Sequence, residues 1–129
     1  MDEVYSILPY IKQSFYKYIY PTTILEIEPV DDTAKNILAD GIAYHSIPDA
    51  YSEDFMGYAD MFVCLNIEEE DINAYWNTIT FSMGNNAALL LIRYPVSADP
   101  RKVFKTKSAF SVLLSDGRFF SAMIIERDF

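Results

Sequence analysis

Residues Ala87 to Tyr94 read Ala-Ala-Leu-Leu-Leu-Ile-Arg-Tyr, apolar on both alternating faces and bracketed by Gly84-Asn85-Asn86 before and Pro95 after. A strand of this kind has no side to turn toward water, so it belongs in the centre of a sheet covered on both faces. It also contains the longest uninterrupted apolar run, Ala87 to Ile92. That run is far short of the roughly 20 residues a helix needs to cross a bilayer.

Other segments declare their type by period. Val4, Ile7, Leu8, Ile11, Phe15, Tyr18 and Ile19 follow one helical stripe, which predicts a first helix to about Tyr20, capped by Ser6 with Pro9 in its first turn and stopped by Pro21. Thr23 to Glu28 alternates, Leu25 and Ile27 on one face and Glu26 and Glu28 on the other, as in a half-buried strand. Asp31 or Asp32 can cap a short helix that turns Ala34, Ile37 and Leu38 inward and ends at Asp40-Gly41. Ala43 to Asp60 is irregular, a loop holding one short helix. Met61 to Ile67 reads as a strand, and Glu68 to Met83 as a helix whose stripe is Ile72, Tyr75, Trp76, Ile79 and Met83. Asp116-Gly117 between two alternating runs, Ser108 to Ser115 and Arg118 to Arg127, predicts a type I′ hairpin with Phe110, Val112 and Leu114 opposite Met123, Ser121 and Phe119. The expected fold is α+β: one domain over residues 1–129, with a mixed, largely antiparallel sheet of about five strands, three main helices and a C-terminal hairpin.

Charge narrows the chemistry. Nineteen acidic residues against ten basic ones give a net charge of −9, which disfavours direct binding to nucleic-acid phosphates. The window Thr22 to Asp71 holds thirteen carboxylates and one basic residue, Lys35, while Arg101, Lys102, Lys105 and Lys107 mark an opposite pole. A single histidine, His45, excludes histidine pairs and multi-histidine metal sites within one chain. The only cysteine, Cys64, lies in an apolar run, so a Cys64–His45 dyad is less expected than a buried thiol, and a disulfide framework is excluded. With no secretory signal at Met1-Asp2-Glu3, a reducing cytoplasm is the expected compartment. No glycine-rich phosphate cradle, Cys-x-x-Cys pair or calcium loop is present, so neither cofactor nor metal is expected. Some of the thirteen acids will pair at glycosidase distances by chance, which leaves a small enzyme with an acidic pocket as one alternative.

The least regular stretch interleaves Tyr44, Tyr51, Phe55 and Tyr58 with Asp49, Glu53, Asp54 and Asp60, and Glu68 and Glu69 follow. Tyrosine supplies rigid contact area at binding hot spots, and acids steer a basic partner. The candidate partner-binding residues are therefore Tyr44, Asp49, Tyr51, Glu53, Asp54, Tyr58, Asp60, Glu68 and Glu69; the bland alternative is that the aromatics are core and the acids solubilise. In size and in this carboxylate-dense window from Glu26 to Asp71, the chain resembles the small acidic immunity proteins of bacteria, including those of contact-dependent inhibition systems. That resemblance implies a protein-binding inhibitor that neutralises a cognate, nucleic-acid-degrading toxin by covering the cationic active site on its basic surface with an acidic face, and no catalysis in this chain. A phage-type mimic of DNA charge and an oligomer-building subunit are the further alternatives.

Overall fold

A computed structural model describes residues 2–47, 59–84, 87–95 and 104–127. Its helices are α1 (Val4–Ile19), α2 (Thr33–Leu38) and α3 (Trp76–Ser82), the last preceded by a 3₁₀ helix, Glu69–Tyr75. Its strands are β1 (Thr23–Ile27), β2 (Ala43–Ile47), β3 (Met61–Cys64), β4 (Ala87–Ile92), β5 (Phe104–Leu113) and β6 (Phe119–Arg127). They form one mixed sheet in the order β2-β1-β3-β4-β6-β5. β2, β1, β3 and β4 run parallel, and β6 and β5 are antiparallel additions at one side.

The expected class holds, a mixed sheet packed by three main helices and ending in a hairpin, but the sheet has six strands and three of its five pairings are parallel. Helical crossovers cover both faces. α1 and α2 pack on one through Val4, Leu8, Ile11, Ala34 and Leu38, against Ile24, Met61, Val63, Leu89 and Leu91. The 3₁₀ helix and α3 cover the other through Ile72, Tyr75, Trp76 and Ile79, against Leu25, Ile27, Phe62, Leu90 and Ile92. β4 is therefore the central strand its composition demands, and full burial of each of its large apolar side chains stabilises the fold by about 1.5–3 kcal/mol.

Four local expectations change. β1 is buried on both faces, and Glu26, expected on a polar face, is 3% exposed. Ala43 to Ile47, expected to be irregular, is the edge strand β2. The helix after Glu68 opens as 3₁₀, since no side chain caps its start and tight i→i+3 turns are common where helix N-termini lack a cap. α1 begins at Val4, whose N–H is accepted by Asp2 Oδ1 at 3.1 Å, so Asp2 takes the role expected of Ser6 and Pro9 falls in the second turn.

The hairpin is present in a different register. Gly117 N–H donates to the Leu114 carbonyl (3.0 Å) and Leu114 N–H to the Arg118 carbonyl (2.8 Å), while Gly117 has φ 86° and Asp116 is not left-handed. This is a three-residue loop, a type I turn closed by a left-handed glycine, in place of a two-residue type I′ turn. The extra loop residue moves each pairing by one, so Phe110 lies opposite Ala122 and Val112 opposite Phe120.

The hairpin turn is clasped to the start of the chain. Arg93, following β4 and 7% exposed, donates to Asp2 Oδ2 at 2.7 Å, and Arg118 reaches the same oxygen at 3.1 Å. Both arginines also approach Asp116.

Candidate functional site

In an open parallel sheet, ligands bind outside the carboxyl ends of the strands where successive connections leave on opposite faces. Here that point lies between β1 and β3. The connection after β1 runs into α2 on one face, and the connection after β3 runs into the 3₁₀ helix and α3 on the other.

Glu28 stands at this edge. It is the residue after β1, it is exposed, and its backbone is left-handed (φ 51°), a conformation that costs a residue with a side chain about 1–2 kcal/mol. Its N–H donates to the Ile47 carbonyl at 2.8 Å, and its carbonyl accepts from the Asn66 side-chain amide at 3.3 Å, so the ends of β2 and β3 both hold it in place. Its carboxylate accepts a hydrogen bond from the Tyr75 hydroxyl. Burial, and then Glu28 itself, push the Tyr75 pKa upward, which keeps that hydroxyl a proton donor.

Two further groups face the same edge. Tyr94 follows β4 with its ring against the core, and its buried hydroxyl has no hydrogen-bond partner among the described residues. Glu68 lies 3.8 Å from Arg118, which ties the segment after β3 to the hairpin turn. Beyond Glu28 the turn continues Pro29-Val30-Asp31-Asp32, and Asp31 Oδ1 accepts the Thr33 N–H at 2.9 Å to start α2. That bond holds the Asp31 carboxyl below its ordinary range.

The candidate residues read from sequence scatter. Asp49, Tyr51, Glu53, Asp54 and Tyr58 lie outside the described residues. Tyr44 is half-buried on β2 and donates its hydroxyl to Glu26 at 2.7 Å. Asp60 is 3% exposed, and its carboxylate is taken up by the Thr22 and Thr23 amides. Glu68 and Glu69 are exposed, in the segment that follows β3. His45 and Cys64 sit on β2 and β3 with β1 between them, two strand spacings or about 9–10 Å apart sideways, so no dyad forms. Burial pushes the Cys64 thiol well above its ordinary pKa. No group of three potential metal ligands occurs among the described residues, and no helix there is long and apolar enough to cross a membrane.

Glu28, Asn66, Tyr75 and Tyr94 were not singled out by sequence. The available signal was position: each strand of a parallel unit delivers its following residue to the carboxyl edge, and reading 43–47 as irregular hid that unit.

No protein-family model matches the chain, and no curated protein does. Among solved structures it is similar to the crystal structure of a protein-(glutamine-N5) methyltransferase (release factor-specific) from Alicyclobacillus acidocaldarius, with a TM-score of 0.55 and 9% identity, over 95% of this chain and 91% of the other. At that identity the likeness is one of fold. It nevertheless overturns the reading of the chain as an immunity-type inhibitor without catalysis, because almost the whole chain takes a fold on which a transferase is built. The acidic window that carried the earlier reading is partly dissolved as well, with Glu26 and Asp60 inside the fold. What the comparison shows of this chain is its fold, a mixed sheet packed by helices.

Proposed function

We propose that the chain is a small enzyme with an acidic pocket at the carboxyl edge between β1 and β3, and that it transfers a group, methyl transfer first, from a cationic donor. The observation that carries this reading is Glu28, a carboxylate held in a costly backbone conformation at the switch point and aimed by the Tyr75 hydroxyl. The fold likeness to a methyltransferase supports the reaction class.

The turn after β1 discriminates between donors. It contains no glycine from 28 to 32, so the backbone cannot approach a pyrophosphate closely, and Glu28, Asp31 and Asp32 repel phosphate. A phosphate-bearing cofactor does not fit. A donor with a positive charge on the atom bearing the methyl group fits by sign, and when bound it supplies an electrophilic methyl. Glu28 would hold the cation, with the Tyr75 hydroxyl bonded to its carboxylate and the Asn66 amide bonded to its backbone carbonyl.

Calorimetric titration with S-adenosylmethionine, whose sulfur is cationic, and with S-adenosylhomocysteine, whose sulfur is neutral, tests this. Binding of the cationic ligand should weaken by about tenfold or more in Glu28→Gln, and binding of the neutral one much less. No binding of either ligand, or equal loss of both, refutes the reading.

A further inference from the structure

Val4, Leu8 and Ile11 seat α1 on the sheet, and the helix leaves a gap where β5 passes beside it. The gap is an apolar groove of about 490 Å³, a volume usual for small-molecule sites. Ile7, Ile11 and Phe15 form its wall, Phe110 and Val112 its floor, and no charged residue lines it. The strand end after β4 is held over the opposite face, where the Tyr94 carbonyl accepts the Ser121 hydroxyl at 2.7 Å.

The two ends of the groove differ in charge. Glu3 Oε2 accepts the Ser115 N–H at 3.0 Å, which fixes the N-terminal end of α1 at the end of β5. From there the helix runs back along the strand, past Val112 and Phe110, until Ser14 lines the groove's other end. One turn beyond Ser14, on the same face, comes Lys17. Lys17 is exposed and makes no ion pair among the described residues; its ammonium lies 5.3 Å from the centre of the Tyr18 ring. That contact attracts the charge without neutralising it.

We propose that this groove binds a free, unbranched carboxylic acid amphiphile, its alkyl tail between α1 and β5 and its carboxylate at Lys17. The lining selects the tail, because uncharged walls reward apolar area and leave a polar group inside the groove poorly paired. The ends select the head. An anionic head meets an ammonium with no carboxylate partner, whereas a cationic head at the other end meets a carboxylate already bonded to the Ser115 backbone.

Calorimetric titration of the full chain with octanoate, decanoate and dodecanoate, each below its micelle concentration, tests the tail. Affinity should rise by about fourfold for each methylene added. Decyltrimethylammonium should bind more weakly than decanoate, and Lys17→Gln should weaken decanoate by about threefold while leaving decanol unchanged. Ser14→Trp, at an exposed helix position, places an indole in the groove and should abolish decanoate binding at wild-type melting. Absence of binding at every chain length overturns the proposal, as does an affinity independent of chain length or equal for the two decyl ions. Binding to phosphatidylcholine vesicles that Ser14→Trp abolishes, with no binding of free decanoate, overturns it in favour of a membrane surface.

Discussion

Removing the Asp60 carboxylate should cost the fold about 3 kcal/mol, a figure that follows from what the group holds. Both its oxygens lie 3.0 Å from the Thr22 amide, Oδ1 lies 3.1 Å from the Thr23 amide, and Oδ2 accepts the Thr22 hydroxyl at 3.1 Å. The side chain thus joins the start of β1 to the residue before β3. In Asp60→Ala, Thr23 loses a partner while only 7% exposed, and a buried unsatisfied donor costs about 1–3 kcal/mol. Thr22 is exposed, so water replaces its two bonds at about 0.5–1 kcal/mol each. The alanine also relieves the burial of a charge, which keeps the net effect in the lower part of the combined range. Asp60→Asn retains one acceptor oxygen and should cost about half as much. Urea unfolding followed by far-UV circular dichroism reads both, as a fall in midpoint at unchanged slope. A loss below about 1 kcal/mol in the alanine variant would refute the assignment of Asp60 to this junction and return it to the surface.

Glu26→Gln should stabilise the protein near neutral pH. Burial raises the Glu26 pKa above its ordinary 4.5, against the lowering effect of the Tyr44 hydrogen bond, so the folded state binds the proton more tightly than the unfolded chain. Wild-type stability is then fullest below 4.5 and declines as pH rises through the folded value, and the advantage of the glutamine should grow over that interval. Melting both proteins across the range checks the sign, and an advantage that grows toward acid refutes it. Gly117→Val should destabilise by about 1–3 kcal/mol through backbone strain alone, since φ is +86° and an added Cβ would meet no atom within 4 Å. Gly117→Asn should be milder, asparagine tolerating the left-handed region; equal melting of wild type and the valine variant would mean the turn has another form.

Much of the fold was legible because it rests on local period. The doubly apolar β4 and the stripe from Ile72 to Met83 bury the side chains that their spacing selects, whereas the α1 stripe buries Val4, Leu8 and Ile11 and leaves Tyr18 68% exposed. Strand direction was not legible. Nothing in Thr23–Ile27 or Met61–Cys64 distinguishes a parallel neighbour from an antiparallel one, and the short, mostly exposed β2 lacks the alternation that would reveal it. Glu26 illustrates the physical limit: in sequence it alternates with Leu25 and Ile27 as a solvent-facing acid, and only the partnership with Tyr44, 18 positions away, lets it be buried. The hairpin slipped by one residue for a related reason, since Asp-Gly suits a two-residue and a three-residue loop alike. The candidate site was missed because its members are defined by topology. Glu28, Asn66 and Tyr94 share only the property of following a strand, and charge counting directed attention to the density of acids instead of to the one that the backbone holds.

The clasp of Asp2 by Arg93 and Arg118 bears on how the protein is made. Asp2 meets Arg118 across 116 positions, and ribosomes add residues at about 5–20 per second. The first turn of α1 therefore leaves the ribosome on the order of ten seconds before its electrostatic anchor exists. Until residues 87–93 are made, the apolar stripe of Val4, Leu8 and Ile11 has neither β4 nor Arg93, and until Arg118 follows the clasp has one arm. The nascent chain must hold an amphipathic helix in waiting, exposed to chaperones and membranes, until the final hairpin arrives to lock it down.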